Sequence, residues 1–157
     1  MFHAVRGRAA VAAVGACAVL TGPVAFAQAS NTDIASTFKA SVSTLNKDEA
    51  GVARGLTSYR NRGVTGPAVR ARRHEVSDIR TLNGKIKRDA ASTSVGRRAK
   101  SDITTGLSDI AGAYGKLATA LARSTLSRPV TSATVSASSK LDKRGRATLL
   151  KGLKLLG

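Results

Sequence analysis

The stretch that decides the fold is "SDITTGLSDIAGAYGKLATAL", Ser101 to Leu121, which repeats every seven residues as SDITTGL, SDIAGAY and GKLATAL. Ile103, Ile110 and Leu117 fall seven apart, and so do Leu107, Tyr114 and Leu121. The two series interleave at steps of four and three, which is the a/d spacing of a coiled-coil seam. Between them lie Gly106, Ala111, Gly112, Ala113, Gly115, Ala118 and Ala120, small residues that let neighbouring helices come close on more than one side. Asp102 and Asp109 recur with the repeat but sit off the seam. They stand about 10 Å apart along a helix axis, too far to share one cation. The repeat is a packing seam, and its helix is expected from about Val95 to Ser124.

Two further stretches carry helical periodicity. In the first, Asn31 or Thr32 caps and Asp33 suits the positive end of the helix dipole. Ile34, Phe38, Val42, Leu45, Val52, Leu56 and Tyr59 then form one apolar face, interrupted by Glu49. Asn61-Arg62-Gly63 and Thr65-Gly66-Pro67 end this helix and start the next, with Pro67 fitting a first helical turn. The second stretch, from about Pro67 to Ala91, places Val69, Val76, Ile79, Leu82 and Ile86 on one side. Asn83-Gly84 is a weak place in it, and Ser92-Thr93-Ser94 supplies a turn and a cap. Three helices with short connections define an all-α, three-helix antiparallel bundle over residues 31–125. Its thin apolar stripes imply modest stability or a homodimer that adds burial.

Beyond the bundle the texture changes. Residues 126–139, including "SRPVTSATVSASS", read as a flexible polar linker around Pro129. Residues 140–157, "KLDKRGRATLLKGLKLLG", read as a short basic amphipathic C-terminal helix. Leu149, Leu150, Leu153 and Leu156 gather on one arc, with Lys143, Arg144, Lys151 and Lys154 mostly opposite. Such a segment either lies in a membrane interface or meets a partner, or docks its leucines on the bundle as a fourth helix. Gly145 and Gly152 weaken it as an isolated helix.

The N-terminus reads as an address. Arg6 and Arg8 precede an apolar run, Ala9 to Leu20, and Ala25-Phe26-Ala27 offers small residues at a cleavage site. That order is a secretory signal peptide over residues 1–27, with cleavage after Ala27 or, next, Ala29. Val14-Gly15-Ala16-Cys17 is a weaker lipobox reading, in which Cys17 carries lipid. Cleavage near Ala27 leaves no cysteine and therefore no disulfide. The Arg-, Ala- and Gly-rich composition fits a bacterium with a GC-rich genome, so the expected location is secreted or attached to the cell envelope.

Charge is the strongest compositional signal: 26 Lys and Arg against 9 Asp and Glu, a formal net charge of +17. Arg60, Arg62, Arg70, Arg72 and Arg73 flank the first connection, and Lys85, Lys87, Arg88, Arg97, Arg98 and Lys100 flank the second. In an antiparallel bundle these become two positive poles that suit an anionic partner. Arg97 and Arg98 stand near a helix start, where the dipole disfavours them. Arginine forks suit phosphate. Base-reading and stacking equipment is missing, because beyond residue 27 the only aromatic side chains are Phe38, Tyr59 and Tyr114. The expected ligands are therefore an anionic envelope polymer or lipid headgroups rather than a specific nucleic acid.

Catalytic chemistry finds little to work with. His74, beside Glu75 and four residues before Asp78, is the one histidine beyond the leader, and no Gly-x-Ser-x-Gly turn accompanies it. His74 and Asp78 share a helix face, but a zinc site needs a third ligand, so His74 reads as a surface histidine. Paired glycosidase carboxylates are not identifiable. The sequence thus predicts a non-catalytic binding protein with no catalytic residues, metal or cofactor. The competing class is a structural or protein-interaction module that uses the helix seam or the C-terminal leucines.

Overall fold

The structure, a computed structural model, describes residues 32–125 and 127–157. The expected signal peptide, its expected cleavage site and the alternative lipobox reading at Cys17 fall on residues outside those described. Four helices follow one another: α1 (Thr32–Arg62), α2 (Gly66–Arg88), α3 (Ser94–Ala122) and α4 (Ser132–Leu155). Among the described residues no helix is long and apolar enough to cross a membrane.

Local chemistry sets the boundaries. Gly63 ends α1 in the left-handed region (φ 71°), and its N–H donates to the Tyr59 carbonyl at 2.9 Å. Only glycine adopts that conformation without steric cost. Pro67 lies in the first turn of α2. Thr93 caps α3 by accepting from the Gly96 N–H at 2.9 Å, and Thr131 caps α4 by accepting from the Thr134 N–H at 3.3 Å.

Successive helices pack antiparallel. Gly51 and Gly55 of α1 lie against Ala71 and Ala68 of α2. On α2 and α3, the Asn83 amide donates to Ser108 Oγ at 2.8 Å, while Arg72 stacks over the Tyr114 ring. The Asn83-Gly84 pair therefore does not break α2; Asn83 ties α2 to its neighbour. All three anticipated stripes face inward. Ile34, Phe38, Leu45, Val76, Ile79, Leu82, Ile86, Ile103, Leu107 and Ile110 join one core, and Val52, Leu56, Tyr59, Val69 and Leu121 form a second at the α1–α2 turn. Val95, at the start of α3, stands outside the core at 50% exposure.

The three-helix count and the 126–139 linker are corrected. Residues 132–139 are the first turns of α4 and run without a break into the basic C-terminal segment. Their helicity has a packing cause. Ser138, Gly145 and Gly152, seven apart, are all buried, and the glycines let α4 lie backbone to backbone on α3. A Cβ on Gly145 would sit 2.8 Å from the Gly106 carbonyl oxygen, and one on Gly152 2.8 Å from that of Ala99. Leu149, Leu153 and Leu156 complete the main core. Of the fates open to the tail, docking as a fourth helix is the one observed, with Leu149, Leu153 and Leu156 inward.

Gly84 and Gly115 are different: nothing lies within 4 Å of a Cβ built at either position. Both are inside helices, where glycine costs about 0.5–1 kcal/mol relative to alanine. Gly84→Ala and Gly115→Ala are each expected to raise the thermal midpoint, by roughly 2–5 °C for a domain of this size. Thermal melts followed by circular dichroism check this.

Candidate functional site

The described surface offers one long basic concavity, an open groove of about 710 Å³ between α2 and α3. Arg73, Arg80 and Arg88 line it from α2, with Ser77 and Thr81 between them. Spacings of seven and eight residues bring these arginines to one helix face. Gly84, Gly115 and Ala118 help form its lining, and their lack of bulk gives the groove its depth. No carboxylate lines it.

Six of the nine acids are engaged elsewhere. Asp109 accepts two hydrogen bonds from Arg144, at 2.8 and 2.9 Å. Asp142 pairs with Arg146, and Asp102 with Lys151 at 3.2 Å. Glu75 pairs with Arg72 at 2.6 Å, and Asp48 and Asp78 both approach His74. Arg73, Arg80 and Arg88 have no ion-pair partner among the described residues. The groove thus concentrates positive potential in a concave strip, which raises the local concentration of anions.

The residues singled out from sequence divide into four groups. Arg60, Arg62, Arg70 and Arg73 are exposed at the α1–α2 end, and Lys85, Lys87, Arg88 and Arg98 at the α2–α3 end. Two others have local work: Arg97 donates to the Ser92 carbonyl at 3.0 Å and Lys100 to that of Asp89 at 2.7 Å. These bonds close the α2–α3 turn and account for cations near the start of α3. Arg72 is not an anion-binding residue. It is 3% exposed, bonded to Glu75, with its guanidinium 4.2 Å from the Tyr114 ring centroid. In the tail group, Arg144 and Lys151 pair with Asp109 and Asp102, Leu149, Leu153 and Leu156 are buried, and Leu150 is half-buried. Lys143 and Lys154 are exposed.

Sequence reading missed Arg80. Its signal is the spacing of Arg73, Arg80 and Arg88, which keeps them to one face over four turns of α2, although Arg80 flanks neither connection.

The class these features define is an all-helical, strongly basic bundle with an arginine-lined groove. No protein-family model, curated protein or solved structure matches the chain.

Proposed function

We propose that the chain is an exported, non-catalytic protein that binds an anionic polymer of the cell envelope along the α2–α3 groove. Phosphate or carboxylate groups of the polymer would be held by Arg73, Arg80 and Arg88. The single observation that carries this reading is the alignment of three arginines without counter-charge along one groove. Three cations on one helix face span about 22 Å, a length suited to several repeating units of a linear polyanion. Export rests on the signal-like leader, and the formal net charge of +17 supports an anionic partner of either chemistry. Attachment through tail leucines receives no support, because Leu149, Leu153 and Leu156 fill the core. The competing reading, protein interaction through the seam or the same leucines, loses its surface for the same reason.

The test is fluorescence anisotropy with labelled inorganic polyphosphate and polygalacturonate, beside sedimentation with phosphatidylglycerol vesicles, at low and physiological salt. Arg73→Ala/Arg80→Ala/Arg88→Ala is expected to weaken polymer binding at least tenfold, about 1.4 kcal/mol. Lys39→Ala/Lys47→Ala/Arg54→Ala removes the same charge from exposed positions of α1 and is expected to cost far less. Affinity should fall steeply with salt as counterions are released. Equal losses from the two triple variants, or no polymer binding at low salt, would defeat the groove as the site.

A further inference from the structure

We propose that Asp48, His74 and Asp78 form a surface site for a divalent transition-metal ion, with Zn²⁺ as the expected occupant. Sequence spacing presents only His74 and Asp78, one turn apart on α2. The antiparallel packing of α1 on α2 brings in the third ligand, Asp48, from a position 26 residues earlier.

The geometry suits an ion better than a hydrogen bond alone. Asp48 Oδ1 lies 3.0 Å from His74 Nδ1, and Asp78 Oδ2 lies 3.5 Å from the same nitrogen. A ring nitrogen has one proton to give, so a neutral pairing satisfies only one of the two carboxylates that converge on it. Ligands held 2.0–2.2 Å from a tetrahedral ion stand about 3.3–3.6 Å from one another. One ligand atom from each residue lies within 4.8 Å of the other two, so small side-chain adjustments close the set around an ion.

Asp48 adds an independent pointer. Its side chain is only 9% exposed, and Oδ2 is buried with no hydrogen-bond partner. An ionised carboxylate oxygen in that state costs free energy unless a cation answers it. A divalent ion between Asp48 and Asp78 would supply that cation.

The donor set selects the metal class. One imidazole with carboxylates suits Zn²⁺ and its first-row neighbours, whereas Ca²⁺ and Mg²⁺ prefer all-oxygen sets of six or more ligands. His74, at 68% exposure, stands on the solvent side and leaves an outward coordination position to water. The site is separate from the arginine groove and from its anion-binding role.

The experiment is calorimetric titration of Zn²⁺ and of Ca²⁺ into the full-length chain. The reference carries His3→Ala and Cys17→Ser, which removes the remaining histidine and the cysteine as competing donors. One Zn²⁺ per chain is expected, with a rise in thermal midpoint and a shift of the His74 Nδ1 resonance. In His74→Ala and in Asp78→Asn, both changed at non-core positions, Zn²⁺ affinity should fall at least about tenfold while helicity is unchanged. Absence of stoichiometric Zn²⁺ binding overturns the proposal. So does unchanged affinity in both variants, or Ca²⁺ binding as tight as Zn²⁺.

Discussion

Gly106→Ala is expected to destabilise the fold by about 1–3 kcal/mol, although the same exchange at Gly84 stabilises it. Intrinsic helix propensity favours alanine equally at both positions, so the difference in sign isolates the α3–α4 contact. A Cβ at Gly106 would lie 2.6 Å from the Gly145 carbonyl oxygen, 2.6 Å from the Leu149 nitrogen and 2.8 Å from the Leu149 Cβ. Backbone atoms cannot rotate aside, so α4 must move away as a body and carry Leu149, Leu153 and Leu156 partly out of the core. Gly145→Ala and Gly152→Ala meet similar obstacles, at 2.8 Å from main-chain oxygens, and should act in the same direction. Urea unfolding of the four single variants provides the comparison. A Gly106→Ala chain as stable as its parent would mean that α4 does not rest on α3 in solution.

Arg72→Met is expected to destabilise the fold by about 1–3 kcal/mol near neutral pH, because it removes the hydrogen bond that buried Glu75 accepts and leaves its carboxyl to take up a proton instead. Arg72 Nη1 donates to Glu75 Oε2 at 2.6 Å, and both residues are 3% exposed. Burial outweighs the pull of Arg72, with Glu49 and Asp48 adding to it, and pushes the Glu75 carboxyl from 4.5 up to about 7. The folded chain therefore binds a proton more readily than the unfolded one between these values. Stability is greatest below pH 4.5 as far as this group is concerned and falls as pH rises toward 7, by on the order of 3 kcal/mol. Glu75→Gln should flatten most of that decline; Asp48, also raised, leaves a smaller slope of the same sign. Unfolding free energies from pH 4.5 to 8 for the parent, Glu75→Gln and Arg72→Met give the answer. A flat profile for the parent would show that Glu75 stays ionised in the folded chain.

The three apolar stripes of α1, α2 and α3 were legible because their buried positions are filled by Ile, Leu, Val, Phe and Tyr at helical spacing. The first half of α4 was not. Its inward positions are Ser138, Gly145 and Gly152, which carry almost no hydropathy and read as linker or as helix breakers. Their burial becomes intelligible only against Gly106 and Ala99 on the facing helix, a pairing of residues far apart in sequence. Charge was legible in total but not in allocation. Arg72 and Arg73 look alike on paper, yet one residue of rotation on α2 puts the first beneath Tyr114 and the second in the open groove. Asp48 joined His74 and Asp78 only through the α1–α2 packing.

The α3–α4 match also bears on register. Gly145 faces Gly106, Gly152 faces Ala99, and the same stagger carries Ser138 to the level of Ala113. The ion pairs Asp109–Arg144 and Asp102–Lys151 repeat at the same interval of seven. A slide of α4 by one heptad would therefore re-form two of the three small-residue pairings and set Arg144 beside Asp102. Neither the small residues nor the charges forbid that slide; the leucines, anchored among Ile34, Phe38 and Ile79, do. α3 and α4 alone form a ratchet with more than one tooth, and α1 with α2 act as the pawl that holds it at a single position.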